Sequence, residues 1–315
     1  MGMDYQLETD RLFGRQRRDW NLLRENLEGL RETRIREFAY DGFSIRLQYN
    51  PGRIISSAAK VDSESISMRK CFLCAANRPP EQEGLLFEKD YEILINPYPI
   101  FDRHFTIAKT SHAPQQIEDE FSCLLDISRA LPQLVVFYNG PRCGASAPDH
   151  QHFQAGNLGF LPLEDDFERV KDKYGKNITA HPGVTLTAID DGLRRFIVLE
   201  SPNREELVRS FHGILTQTRG WQDQQEAMMN ILSYYCTNGW RLLVFLRERH
   251  RPRQYYEEGE KNILISPAAV DFGGTLISPL EKDFVRITGE DISDIFHQVT
   301  VSQENFELVT GNLNQ

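Results

Sequence analysis

Long apolar runs are missing from this chain of 315 residues. No stretch of about 18 apolar residues occurs and no apolar segment follows a basic one near the start, so a protein that is neither exported nor membrane-spanning, and hence cytoplasmic, is expected. Positive charge is also in short supply. With 36 Lys and Arg against 46 Asp and Glu the formal charge is −10, which speaks against a general nucleic-acid surface, because such binding rests on many cations facing phosphates. A small phosphorylated ligand needs only a local cluster of cations and stays open. Cysteine is sparse, five residues, an odd number with two in a C-x-x-C. Without an export signal, that favours a reducing compartment and a metal over disulfides. The patterns G-x-x-x-x-G-K-[ST], G-x-G-x-x-G and G-x-S-x-G are absent as well, which removes the common nucleotide-cradling and hydrolase loops.

What is present describes a globular protein, 40% hydrophobic and 26% charged, long enough for two ordinary domains or one composite domain. Trp20, Leu23, Leu27 and Leu30 recur at helical spacing in the segment from Thr9 to Phe38, predicting an amphipathic helix. FSIRLQYNPGRIISSAA predicts a hairpin turning at Asn50-Pro51-Gly52. Strands are expected from Tyr91, Arg103 and Gln133, with a helix over QQIEDEFSCLLDISRAL between the last two. Further on, a hairpin turns at Asp190-Asp191-Gly192, a helix capped by Asn203 and Glu206 follows, and a second helix is expected over about Gln222 to Cys236. WRLLVFLRERHRP continues as a strand and a helical tail begins near Glu290. This order suits an α+β layer fold. No strict repeat is visible, although ILINPYPIF and ILISPAAVDF are loosely alike, which leaves two related halves and chance both open.

The chemistry concentrates in APDHQHFQAG, residues 147–156. On a strand, successive side chains alternate between faces, so His150, His152 and Gln154 are expected to line up on one side. An imidazole near its ordinary pKa is a competent nucleophile toward phosphorus when an acceptor holds its other nitrogen. The preceding GASAPD turn offers backbone N–H groups and the Ser146 hydroxyl to phosphate oxygens. The plain alternative is a solvent-exposed polar strand. Cys71 and Cys74 have zinc-ligand spacing but form only half a site; His104 and His150 are the candidates to complete a tetrahedron, against two small residues in a tight turn. Cations near the motifs include Arg53, Lys60 and Arg142, with Ser56 and Ser57 lying between the first two. The run RERHRPRQYY gathers Arg247, Arg249, His250, Arg251 and Arg253 within an acidic chain and is expected to bind a second phosphorylated substrate, a charged surface loop being the near-equal alternative. Cys123 and Cys236 fall in apolar helical patterns and are expected to be buried. His112 is open between a phosphate contact and a loop residue.

NGPRCGASAPDHQHFQAG resembles the H-x-H-x-Q active-site strand of the galactose-1-phosphate uridylyltransferase branch of the histidine-triad superfamily. CFLCAANRPPEQEG followed by YEILINPYPIF resembles that branch's zinc segment and nucleotide-contacting strand, and RHFTIAK its zinc-histidine strand. The likeness covers about residues 45–160 and extends equally to the diadenosine polyphosphate and nucleoside-diphosphate-sugar phosphorylases. It implies a histidine-triad-like fold, a mostly antiparallel sheet with packed helices. Residues 1–162 would form a catalytic half and residues 163–315 a second half that completes the substrate site. It further implies His152 as the nucleophile that forms a nucleotidyl-histidine, with Gln154 holding the phosphoryl group. Ser146, Asn96 and Asn139 would contact substrate, and Cys71, Cys74, His104 and His150 would bind a structural zinc.

The implied activity is nucleotidyl transfer from a nucleoside-diphosphate sugar or dinucleoside polyphosphate to a sugar 1-phosphate or inorganic phosphate, by a monomer or homodimer. Substrate cations would come from Arg53, Lys60, Arg142 and Arg251, with no nucleic-acid or membrane partner. A non-catalytic zinc-stabilised nucleotide-binding module and a nucleotide hydrolase are the competing readings. Two departures from the family pattern stand out. Gln151 replaces a small residue between the histidines, next to an acidic Asp149 that would raise the pKa of His152 or face solvent. The second half carries none of the family's recognisable sugar-phosphate contacts.

Overall fold

Trp20 interrupts what the apolar spacing predicts as one helix. In the structure, a computed structural model that describes residues 3–54, 62–178, 183–219 and 226–313, helix α1 (Tyr5–Asp19) starts where the Asp4 carboxylate accepts the Leu7 N–H at 3.1 Å. It stops at Trp20, whose backbone is extended, and α2 (Asn21–Leu30) follows. The chain then turns into strands β1 (Arg34–Ala39) and β2 (Ser44–Tyr49), so the segment expected as one helix is two helices and the start of a sheet. Pro51–Arg53 forms a single 3-10 turn. Residues 55–61, over which the expected hairpin would return, lie outside the described residues, Ser56, Ser57 and Lys60 among them. Helix α3 (Ser63–Met68) comes next.

Among the described residues, ten strands build the main sheet. The first five are β3 (Gly84–Phe87), β4 (Tyr91–Ile95), β5 (His104–Lys109), β6 (Leu134–Asn139) and β7 (His152–Asn157), with α4 (Phe121–Ala130) between β5 and β6. Helix α5 (Pro162–Tyr174) then leads to β8 (Gly175–Asn177), β9 (Thr185–Asp190), β10 (Arg195–Ser201), α6 (Arg204–Thr218), β11 (Met229–Cys236) and β12 (Gly239–Leu246). The order across the sheet is β3-β4-β5-β7-β6-β11-β12-β10-β9-β8. Within each set of five, the strands therefore follow the same path, and each set inserts one helix between its third and fourth strands. Two related halves meet edge to edge at the antiparallel pair β6–β11, where Asn139 faces Asn230. Their two helices also meet: the rings of Phe121 on α4 and Phe211 on α6 stack with centroids 3.8 Å apart, a contact worth about 0.5–1.5 kcal/mol beyond burial.

Helix α7 (Ala269–Phe272), strand β13 (Thr275–Ser278), α8 (Glu281–Arg286), α9 (Gly289–Val299) and α10 (Gln303–Asn312) complete the chain. β13 runs parallel to β2, giving a small sheet β1-β2-β13. That sheet lies over one face of the second half, where Ile45, Leu47 and Leu276 share a core with Leu243, Phe245 and Phe196. The other face of the main sheet is covered by helical residues such as Leu12, Leu124 and Phe211.

The architecture is the expected α+β, largely antiparallel one. Asn203 caps α6 as expected, accepting from the N–H groups of Glu205 and Glu206. Of the helix expected over Gln222 to Cys236, residues 222–225 lie outside the described residues, and Met229–Cys236 is instead strand β11, with Cys236 exposed at its end. Its residues are buried on both faces, which erases the period-two alternation that betrays a strand. ILISPAAVDF lies outside both sets of five strands, so its likeness to ILINPYPIF is not the repeat.

Candidate active site

A cavity of about 650 Å³ opens on the first half, over the sheet face left uncovered by the small sheet. Its floor is the run Thr106, Gln154, Phe137, which face one another directly across β5, β7 and β6. Gly156, two residues beyond Gln154 on β7, has to be glycine: a Cβ there would meet the Phe101 ring at 2.4 Å. That ring packs in turn on His104 and Phe137.

His152 opens β7 and is 3% exposed. The β6–β7 pairing ends at Phe137 and Gln154, and Gln115 takes over from there. Its oxygen accepts the His152 N–H at 2.8 Å, and its amide donates to the carbonyls of His152 and Asn139 at 3.0 and 2.9 Å. The imidazole Nδ1 of His152 lies 2.8 Å from the carbonyl of His150. A carbonyl only accepts, so Nδ1 carries the proton and Nε2 presents its lone pair at the cavity wall. Burial pushes the His152 pKa down to about 4, against the opposing pull of that carbonyl. The ring is neutral at physiological pH. Asp149 pairs with Arg69 at 2.5 Å, and its charge is a minor influence that raises the His152 pKa against the larger effect of burial.

His150 does not share the strand. It sits in the turn before β7, fully buried, and its Nε2–H donates to the Lys109 carbonyl at 2.7 Å. Nδ1 is thereby free to act as a ligand, and it lies 3.2 Å from Cys71 Sγ, 3.6 Å from Cys74 Sγ and 3.3 Å from His112 Nδ1. His112 Nδ1 is also 3.3 Å from Cys74 Sγ. Ligands at ordinary zinc distances in a tetrahedron stand about 3.3–3.8 Å apart. The donor set fits zinc, and it consists of Cys71, Cys74, His112 and His150.

The expected ligand His104 is not part of this cluster. It lies on β5 beneath the cavity, where its Nδ1 accepts the Ile100 N–H at 3.2 Å and its Nε2 meets Gln154 Oε1 at 3.0 Å. His112, which the sequence leaves open between a phosphate contact and a loop residue, takes its place among the four. It follows the end of β5 by three residues, on the side of the turn that carries His150, and a strand boundary was the missing signal.

Ser146, Asn96, Asn139, Arg53 and Arg251 all line the cavity, as does Gln154. Gly144, with φ +96°, turns the chain so that Ala145 and Ser146 follow along the wall; a Cβ there would also meet that of Ala268 at 2.5 Å. Arg53 donates to the Tyr98 carbonyl at 2.6 Å, and burial lowers its pKa to about 10 while nearby Asp271 opposes that shift. Arg142 is exposed on the surface and does not line the cavity.

The second half supplies His250, Arg251, Ser266 and Asp271 to the wall. Arg251 bonds Ser266 Oγ at 3.1 Å and lies 4.0 Å from the centre of the Tyr255 ring. The basic run is thus divided: Arg253 pairs with Asp294 at 2.8 Å, and Arg247 is 1% exposed. Arg247 bonds Asn230 at 2.5 Å and the carbonyls of Arg249 and His250 at 3.1 Å. Asn230 passes the connection to Asn139 at 2.8 Å, so a buried guanidinium ties the second half's wall to the first half's floor. Burial pushes Asp271 up to about 6 and, with its arginine neighbours, His250 down to about 3. Neither residue stood out in the sequence as a site residue of its own.

The fold is histidine-triad-like, as in solved structures of an Ap4A phosphorylase. Residues 12–157 match the family described as Domain of unknown function (DUF4922), and residues 194–315 match the GDPGP1-like, C-terminal domain. Yeast Ap4A phosphorylase Apa2 in complex with AMP is similar over 95% of this chain and 97% of its own, with 14% identity and a TM-score of 0.62. The same enzyme in complex with Ap4A is similar over 89% and 96%, with 13% identity and a TM-score of 0.58. An ADP-glucose phosphorylase from Arabidopsis thaliana with bound ADP-glucose has 12% identity over 86% and 99% of the two chains and a TM-score of 0.41. No curated protein matches by sequence. No helix among the described residues is long and apolar enough to cross a membrane.

Proposed function

We propose that the chain is a nucleotidyltransferase that moves a nucleoside monophosphate from a donor to a phosphorylated acceptor through His152. The observation that carries this reading is the neutral imidazole of His152, with Nδ1–H on the His150 carbonyl and Nε2 on a cavity large enough for a nucleotide. The donor is a nucleoside-diphosphate sugar or a dinucleoside polyphosphate. The fold shared with an enzyme crystallised with AMP and Ap4A supports a nucleotide in that role.

Nε2 attacks the α-phosphorus, an N–P bond forms, and the P–O bond to the leaving phosphate breaks, its oxygen keeping the electron pair. The ring becomes a cation whose Nδ1–H stays on the His150 carbonyl, which stabilises the charge. Gln154, Ser146 and Arg53 face the phosphoryl oxygens; Asn96 and Asn139 contact the nucleotide, and Arg251 serves the second phosphorylated group. An oxygen of the acceptor then attacks phosphorus, the N–P bond breaks, and His152 returns neutral. Gln154, unlike a histidine at that place, can neither take a proton from attacking water nor give one to a leaving group, so the intermediate persists until orthophosphate or a sugar 1-phosphate arrives. Zinc on Cys71, Cys74, His112 and His150 would be structural, since four protein ligands close the site. Its effect reaches the chemistry only through His150, whose carbonyl holds His152.

The test is turnover of nucleoside-diphosphate sugars and dinucleoside polyphosphates with and without orthophosphate or a sugar 1-phosphate. Turnover that requires the acceptor supports transfer. Equal turnover in water alone would make the protein a hydrolase, and tight binding without turnover would make it a binding module.

A further inference from the structure

The reading of His152 as nucleophile needs Gln154 to face the phosphoryl group with its NH₂, because an amide oxygen there would repel anionic oxygens. A glutamine amide is nearly symmetric in shape, so something has to choose its orientation. We infer that His104, through its bond to Gln154 Oε1, is the positioning residue that fixes the Gln154 amide with its N–H groups toward the cavity. This inference rests on the function proposed above.

The backbone dictates the choice. The Ile100 N–H lies 3.2 Å from His104 Nδ1, and a backbone N–H only donates, so Nδ1 must be the unprotonated nitrogen. The proton of the neutral ring is then on Nε2, which lies 3.0 Å from Gln154 Oε1. Donor meets oxygen, and the amide nitrogen is left for the cavity that Gln154 lines. A flipped amide would set N–H against N–H and leave the buried His104 donor unpaired. The ring itself cannot turn easily: His104 is 1% exposed and wedged between Phe101 and Phe137. Burial and the Arg53 charge hold its pKa down at about 3, so the ring stays neutral across the physiological range and the Ile100 N–H alone selects the tautomer. His104 touches neither the nucleotide nor the reacting atoms in this arrangement; it acts through Gln154.

Three measurements test it together. Long-range proton–nitrogen NMR on the wild-type protein should find His104 protonated at Nε2; a Nδ1–H tautomer overturns the inference whether or not the protein turns over. His104→Phe should keep its zinc, while His112→Ala should lose it; loss of zinc in His104→Phe would return His104 to the metal site. In single-turnover nucleotidylation, His104→Phe should be slowed about 100-fold, the scale of losing one preorganised donor, with donor KM little changed. His104→Gln, which keeps a donor near Nε2, should recover most of the rate and covers the case in which the phenylalanine variant misfolds. Adding His104→Phe to Gln154→Ala should cost almost nothing further, because the two act as a unit. Full additivity, or no recovery with glutamine, contradicts the inference. If the wild-type protein forms no adduct with any donor, the proposed function fails, and the tautomer and zinc measurements still decide the place of His104.

Discussion

The two halves of the main sheet use one topology for opposite ends. A single row of directly paired residues crosses all ten strands: Gly84, Leu94, Thr106, Gln154 and Phe137 in the first half, then Leu232, Leu243, Val198, Thr187 and Asn177 in the second. In the first half the centre of that row is Thr106 and Gln154, open to the cavity. In the second half the centre is Leu243 and Val198, both buried under the small sheet. The difference comes from what covers the face. Where β2 and β13 lie on the sheet, large apolar side chains fill the gap and contribute stability. Where they do not, the same face carries imidazole, amide and hydroxyl groups that a packed core would not tolerate. Even the buried charges divide this way: Asp191 and Arg194 of the second half pair at 2.7 Å with no exposure at all, whereas Arg53 of the first half stands at the cavity.

Breaking the covered face should have the largest effect on stability. Phe245, unexposed and packed on Phe196 and Phe272 with centroids 4.8 and 5.1 Å away, sits two residues along β12 from Leu243. Phe245→Ala should cost roughly 3–5 kcal/mol in urea unfolding and leave the rate per folded molecule nearly unchanged. A comparable loss of rate in the folded variant would mean that the halves are not divided as described.

A smaller effect sharpens the seam between the halves. Glu226, from the segment leading into β11, accepts from Tyr138 on β6 at 2.7 Å and from the Ile117 N–H at 2.6 Å. Burial pushes its pKa up to about 7 from the ordinary 4.5. A raised carboxyl pKa contributes stability that is complete below the unfolded value and is lost as pH rises through the folded one. Between pH 6 and 8 the wild-type protein should therefore lose on the order of 1 kcal/mol from this group, seen as a Tm lower by a few degrees. Glu226→Gln should flatten that slope; an unchanged slope would show that Glu226 ionises freely.

Much of the site was legible because its chemistry is local. His152 and Gln154 are two residues apart on one strand, and Cys71 and Cys74 three apart in one turn, so spacing alone brings them together. His104 and His112 were not separable in this way. They lie eight residues apart around the end of β5, and only the place where that strand stops decides which imidazole meets the cysteines. On the sequence pattern His150 belongs to the strand, yet β7 begins two residues later, and the turn is what aims its ring at Cys71, Cys74 and His112. The contribution of the second half was hidden in part for a related reason: the basic run supplies one arginine to the cavity, one to the buried seam and one to a surface ion pair. Arg251, Arg247 and Arg253 are alike in sequence and differ only in what the fold packs around them.

The central claim is that His152 carries the nucleotide. Intact-protein mass spectrometry under mildly alkaline conditions, which spare a phosphoramidate, should detect a gain equal to one nucleoside monophosphate after incubation with a nucleoside-diphosphate sugar or a dinucleoside polyphosphate. The gain should map to His152, vanish in His152→Ala and name the base by its mass. Acceptor-dependent turnover with no adduct, or with full activity in His152→Ala, would contradict the account.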